Sequence, residues 1–422
     1  MTHRNSPTCD GTITIAYPVP VRRLLIAVLF ASMLPLTVSA QETTTDTPAA
    51  VVPANTTLIE TRVRKSKLPA RTGVMALGTD GQPIWKSRAY EQFLPASTMK
   101  LITAVVALEV MGKDWKPVTK VTYDADSGTL YLVASGDPLI TSAQLRALAY
   151  KVANALATVE EPPTALRVDD SLFPEPTVAP GVAAAQQPQE LNPVRALMVD
   201  RRIGMDSSAM GAKIFNESLK AAGVHVEYKG RGTAKGEEVA ALAGTRLQGS
   251  LRTMLWYSDN DIAEMIFRLS ALAAGRSATW ADARLTAYEQ LTRLGVPTKD
   301  IVLIDGSGLS RKNRLSAHVL TEVLRVAETN ERTSVLRALL PTAGVEGTIR
   351  TRFRTEPAAC VKDALKAKTG GLRDVVSLAG YAPLPDGTYR PFAIIANGIS
   401  GYSQGNRVRR AIDALAASFS GC

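Results

Sequence analysis

The chain has 422 residues, 45% of them apolar and only 5% aromatic, which is long enough to bury a large core in two or three packed units and too apolar for a disordered or fibrous protein. Its formal net charge is +10, from 49 basic and 39 acidic residues, scattered without a long basic run; this argues against a nucleic-acid binder and fits attraction to an anionic membrane or cell-wall surface. The three cysteines and three histidines form no cluster with zinc-ligand spacing, so neither a metal nor another cofactor is expected.

At the N-terminus, Arg22 and Arg23 precede the apolar run Leu24 to Leu34, and Val38-Ser39-Ala40 places small residues before Gln41. This is the pattern of a secretory signal peptide over residues 1–40. The apolar run ends at Pro35 and falls well short of the roughly 20 residues that span a bilayer. The polar lead Met1 to Pro20 is long for a signal sequence, which suggests a translation start near Val21. Cleavage after Ala40 would leave an exported, periplasmic protein with a net charge of +8, since three arginines and one aspartate go with the leader. Of the cysteines only Cys360 and Cys422 would remain, and in an oxidising compartment they are candidates for one disulfide.

Residues 41–56 crowd Thr, Pro and Ala together and read as a disordered leader, with structure expected from about Thr57. Thr72 to Leu77 and Pro83 to Lys86 flank Gly78-Thr79-Asp80-Gly81 and read as a β-hairpin. Ser97 to Met111 is helical and apolar on nearly every side, the signature of a buried helix. Between Pro117 and Ala240 the character changes to short strands at Lys120 to Tyr123 and Thr129 to Val133, an amphipathic helix at Ser142 to Leu156, and a loop from Pro174 to Pro193. The reading is an inserted domain over residues 118–240 that divides a main domain into 57–117 and 241–422. Beyond it come helical segments over Leu247 to Ala273 and Ala317 to Glu328, then strands at Ala364 to Thr369, Val375 to Ala382 and Tyr389 to Asn397, and a closing helix from Arg407 to Phe419. Two early strands, three late strands and a final helix predict an α+β fold with one antiparallel sheet between helices.

Hydrolysis of an amide by serine needs a base, an oxyanion hole and an acid for the leaving nitrogen. With only His225 and His318 left after the leader, a Ser-His-Asp triad is not expected. Ser97-Thr98-Met99-Lys100 offers another base: a serine at a helix start and a lysine one turn on share a face, and partial burial lowers the proton affinity of a lysine. That spacing alone is common. It gains weight from Ser258-Asp259-Asn260 between two helices and Lys368-Thr369-Gly370 on a strand, in that order. Ser258 would relay the proton, Asn260 would hold the substrate amide and the lysine, and Lys368 with Thr369 would take a terminal carboxylate. Gly370 and Gly371 would let substrate backbone lie along the strand. The oxyanion hole would be the N–H groups of Ser97 and Gly371.

These three motifs resemble those of penicillin-binding proteins and serine β-lactamases, and further segments narrow the resemblance. Ser135-Gly136-Asp137-Pro138, Val168 to Phe173, Asp305-Gly306-Ser307-Gly308-Leu309-Ser310-Arg311 and Gly344 to Thr348 are similar to the class C, low-molecular-mass D-Ala-D-Ala carboxypeptidase/endopeptidases. The resemblance implies the penicillin-binding transpeptidase-like fold with an inserted α/β domain. It also implies removal of terminal D-alanine from peptidoglycan stem peptides, cleavage of D-Ala-diaminopimelate cross-links, and inhibition by β-lactam antibiotics. From the family it further implies a pocket for the free end of diaminopimelate, with Asp169 and Arg311 as charged ligands and Phe173 and Leu309 as apolar walls; Asp170 competes with Asp169 for that role. The insertion departs from the larger family members, with Pro174 to Pro193 standing where a nested subdomain is usual. Two other readings share the motifs. A non-catalytic β-lactam sensor would acylate without turnover, and a serine β-lactamase would need a glutamate-bearing deacylation loop.

Overall fold

A computed structural model describes residues 55–422; the signal peptide and all but the end of the leader lie outside the described residues. From Asn55, whose side chain caps the first turn by accepting from the Leu58 N–H at 3.0 Å, the chain forms helix α1 (Thr56–Lys65). The sequence reading placed no helix there, because α1 is polar and buries only Ile59. The expected hairpin follows as β1 (Thr72–Leu77) and β2 (Pro83–Ser87). A short 3-10 turn, Ala96–Met99, then leads directly into α2 (Lys100–Met111), which is buried over its first nine residues.

The inserted segment builds a second sheet from β3 (Val118–Asp124), β4 (Thr129–Val133), β5 (Ala165–Asp169), β6 (Glu227–Arg231) and β7 (Glu237–Ala243), in the order β6-β5-β4-β3-β7. Helix α3 (Ser142–Leu156) links β4 to its parallel neighbour β5, and α4 (Ser207–Ala221) links β5 to its parallel neighbour β6. The mixed pairing matches the expected α/β insertion, although β7 runs three residues past position 240. The neck of the insertion is closed by backbone bonds from Gly244 to Pro117, Leu247 to Trp115 and Gln248 to Lys113.

The main domain resumes with α5 (Leu247–Tyr257), α6 (Asn260–Ala273), α7 (Trp280–Arg293), α8 (Ala317–Thr329) and the single turn α9 (Leu336–Leu339). Strands β8 (Lys366–Leu372), β9 (Val375–Pro383) and β10 (Tyr389–Asn397) then complete the first sheet in the order β2-β1-β10-β9-β8, antiparallel throughout, before α10 (Gly401–Ser418). Side chains alternate across this sheet. Met75, Leu77, Ala393 and Ile395 enter the core shared with α2 and α8, while Val74, Ala76, Phe392 and Ile394 enter the one shared with α1 and α10. Both faces are covered, so the central strands read as continuous apolar runs. Helix α2 packs against α5, α6, α7 and α8, which explains its lack of a polar face. Cys360 and Cys422 are joined in a disulfide with Cα atoms 6.4 Å apart, tying the end of α10 to the loop before β8. Among the described residues no helix is long and apolar enough to cross a membrane.

Candidate active site

Ser97 lies in the turn before α2, and the backbone before it is held tightly. Ala96 has φ +49°, a conformation costly for a residue with a Cβ and usually retained at functional sites. The Pro95 carbonyl accepts from both the Thr98 and Ser377 hydroxyls, each at 2.7 Å. Gly308 approaches so closely that a Cβ there would lie 2.0 Å from the Ala96 carbonyl oxygen. One strand and one loop thus fix the turn from two sides.

Lys100 is fully buried. Its Nζ donates to Ser97 Oγ at 3.0 Å, Asn260 Oδ1 at 2.8 Å and the Ser307 carbonyl at 2.8 Å. Burial pushes the ammonium down to about 8, against the opposing pull of Asp305 and Glu264. A lysine poised there has an appreciable neutral fraction near pH 7 and a hydroxyl within reach, which is what a general base requires.

The third acceptor of Lys100 went unnoticed in the sequence, along with the framework that positions it. Glu264, fully buried on α6, accepts from the Gly306 N–H, from the Ser307 N–H at 2.7 Å and from Trp280 Nε1 at 2.7 Å. Asp305 accepts from the Gly308 and Ser310 N–H groups and from Asn313 Nδ2. Burial holds both carboxyls above their ordinary range, and repulsion from Asp305 adds to the rise at Glu264. The segment Asp305 to Ser310 is therefore a rigid loop that presents one carbonyl to the lysine, a wider role than the peptide pocket its motif implied. A charged residue such as Glu264 within the apolar stretch Ile262 to Phe267 was the signal available.

The Ser258-Asp259-Asn260 segment is a break between two helices. Ser258 ends α5 in the left-handed conformation (φ +57°, ψ +36°), and Asp259 starts α6 by accepting from the Ile262 N–H at 3.0 Å. Arg201 of the insertion grips the Asp259 carboxylate. Asn260 is oriented at both ends, with its Oδ1 on Lys100 and its Nδ2 donating to the Glu190 carbonyl at 2.7 Å. Asn192 nearby donates its N–H to Asp261 at 2.8 Å. The loop from Pro174 to Pro193 is thus fastened to the site.

On β8, Lys368 is fully buried and donates to Ser258 Oγ at 2.8 Å and the Thr369 carbonyl at 2.6 Å. Burial and the neighbouring Lys100 push its ammonium well below the ordinary value. Thr369 Oγ1 shares a 2.7 Å hydrogen bond with Thr348 Oγ1. The two glycines differ in kind. At Gly370 a Cβ would meet Ser377 Oγ at 2.1 Å and the Ser97 backbone nitrogen at 3.1 Å, whereas at Gly371 there is nothing within 4 Å. Gly370 therefore serves close packing beneath Ser97, and Gly371 is the position of the two with open space beside it.

The stem-peptide residues separate. Leu309 and Arg311 line a cleft of about 840 Å³ that also includes Glu190, Gly371 and Asp374, with Arg311 bidentate to Asp374 at 2.8 Å on both nitrogens. Asp169 and Phe173 do not line it. The Asp169 carboxylate is taken up by its own surroundings, accepting from the Ser171 N–H and hydroxyl and from the Ala234 N–H. Phe173 is buried with Arg268 stacked 4.7 Å from its ring centre. Asp170 is engaged by Arg195 and Arg231.

A serine held against a buried lysine, beside a second serine–lysine contact at the edge of an antiparallel sheet, defines a serine hydrolase of the transpeptidase-like class. The model of the D-Ala-D-Ala carboxypeptidase 3 (S13) peptidase family matches residues 56–207 and 202–419. Carboxypeptidase DacB of Mycolicibacterium smegmatis is 30% identical over 374 residues, covering 83% of this chain and 80% of that protein. Carboxypeptidase Rv3627c of Mycobacterium tuberculosis is 30% identical over 372 residues, covering 81% and 78%. The crystal structure of penicillin binding protein 4 from Haemophilus influenzae superposes with a TM-score of 0.74 at 22% identity, over 84% of this chain and 98% of that one, so the fold is the same. The chain belongs to the S13 family of D-Ala-D-Ala carboxypeptidases and is a serine peptidase.

Proposed function

We propose that this protein is exported to the periplasm, where it removes the terminal D-alanine of peptidoglycan stem peptides and cleaves D-Ala-diaminopimelate cross-links through an acyl-enzyme on Ser97, and that penicillin acylates the same serine. The observation that carries this reading is the buried Lys100, held 3.0 Å from Ser97 Oγ and lowered to about 8. Neutral Lys100 takes the hydroxyl proton as Ser97 Oγ bonds to the penultimate D-alanyl carbonyl carbon. The oxyanion lies on the N–H groups of Ser97 and Gly371, each such donor contributing about 100- to 1000-fold in rate. The C–N bond then breaks, and the proton passes from Lys100 through Ser258 to the leaving nitrogen. Water repeats the sequence on the ester and frees Ser97. Thr369, with Lys368 behind it, binds the leaving carboxylate, whose arrival favours the charged form of that buried lysine, and the cleft of Leu309 and Arg311 takes the acyl-side stem. The signal-peptide pattern and the Cys360–Cys422 disulfide both support an oxidising compartment, and the basic surface supports association with the cell wall or membrane.

The test is mass spectrometry of the protein and of Ser97→Ala after incubation with penicillin, alongside D-alanine release from a diaminopimelate pentapeptide. A penicilloyl adduct and D-alanine release, both absent in Ser97→Ala, are expected. An adduct without release would make the protein a sensor, and no adduct would overturn the assignment of Ser97.

A further inference from the structure

Beyond Thr369 and Gly371, on the side away from Leu309 and Arg311, lies a second cleft of about 550 Å³ between the loop after Thr348 and helix α10. Its walls carry Arg352, Arg354, Arg409 and Arg410, with Asp413 as the one acid. That acid is committed to Arg352, whose Nε and guanidinium nitrogens grip both of its oxygens. Arg354 donates only to the Gly344 and Arg350 carbonyls, and Arg409 to the Asn406 side-chain oxygen at 2.7 Å. Among the described residues no carboxylate pairs with Arg354, Arg409 or Arg410. Three uncompensated guanidinium groups around one hollow repel one another, and the arrangement is favourable when an anion enters. The cleft on the other side of Gly371 is different, since there Arg311 is neutralised by Asp374.

The geometry points to a subsite for the leaving stem: the arginine-lined cleft binds the acidic peptide that departs when a cross-link is cut, so that Arg354, Arg409 and Arg410 select cross-linked peptides over free pentapeptides. This rests on the proposed placing of the leaving carboxylate at Thr369, because the cleft opens from Thr369 and its partner Thr348. A lone D-alanine offers one carboxylate and a methyl group, and leaves most of such a space empty. A departing stem continues as a chain that, beyond the diaminopimelate carboxylate next to the leaving nitrogen, bears the free carboxylates of D-glutamate and of its own C-terminus. Planar guanidinium groups suit several carboxylates at once.

The experiment compares two substrates, a cross-linked diaminopimelate peptide dimer and a monomeric pentapeptide, on the wild type, on Arg409→Gln/Arg410→Gln and on Arg409→Lys/Arg410→Lys. Both residues lie on α10, and Gln and Lys are good helix formers. The ratio of dimer cleavage to D-alanine release, each as kcat/KM, should fall roughly tenfold in the glutamine variant and recover in the lysine variant. Added salt should depress dimer cleavage in the wild type and much less in the glutamine variant. If the wild type cleaves the dimer and the glutamine variant keeps its ratio, the subsite is wrong while the endopeptidase reading stands. If the wild type releases D-alanine but leaves the dimer intact, the endopeptidase reading fails and the subsite falls with it.

Discussion

The base assignment makes a quantitative demand on pH. With Lys100 lowered to about 8, its neutral fraction is about 1% at pH 6, about 9% at pH 7, about 50% at pH 8 and about 90% at pH 9. Acylation requires the neutral form, so the second-order rate constant should rise roughly ninefold from pH 6 to 7, about fivefold from 7 to 8 and less than twofold from 8 to 9. Stopped-flow acylation by a chromogenic cephalosporin measures this constant, and because it is of kcat/KM type it reports the free protein. Glu264→Gln adds a second arm. Glu264 raises the lysine pKa, so its neutralisation should move the limb to lower pH. A rate constant flat between pH 6 and 8, or a limb that moves upward in Glu264→Gln, would refute Lys100 as the base.

Gly370→Ala forces a Cβ into Ser377 and against the Ser97 nitrogen; acylation should drop by more than about 100-fold, whereas Gly371→Ala should leave thermal stability unchanged, and equal melting temperatures for the two variants would contradict the packing role of Gly370. Asn260→Ala removes one acceptor from the Lys100 ammonium, so the pH limb should move down by about one pH unit as the maximal rate falls; a limb that stays in place would show that Asn260 does not bear on the lysine. Reducing Cys360–Cys422, which closes a loop with a sequence separation of 62, should lower unfolding stability by up to about 4 kcal/mol without altering acylation. Identical denaturation midpoints with and without reductant would rule that out.

What could be read from the sequence followed from how strongly local pattern tied to burial. The all-apolar run of α2 and the apolar strands β9 and β10 were readable because they are buried on every side. The left-handed Ser258 between α5 and α6 was readable as a three-residue motif. Helices α4 and α7 went unread although Asp206 and Thr279 cap their first turns, because their buried faces are made largely of small and polar residues, such as Ser208, Gly211 and Ser218 in α4 and Ala283, Thr286 and Gln290 in α7. The roles of Glu264, Ser307 and Glu190 depend on contacts between distant segments, two of them through backbone carbonyls that any residue type supplies. A related point holds at Asp169: a motif position fixes where a side chain begins, but its partners, here Ser171 and Ala234, decide what remains free.

The neck between Pro117 and Gly244 has a consequence for how such a chain can change. Its two strands leave the main domain side by side, joined by a 2.8 Å backbone bond, so the inserted segment could be lengthened, trimmed or exchanged at its outer rim without moving a residue of the first sheet. The latch at Glu190 and Asn192 imposes the opposite condition at the inner rim, because Asn260 and Asp261 are held by it. Variation in this lineage should therefore gather on the far side of the second sheet, and a graft that preserved only the neck would fold yet hold its asparagine loosely.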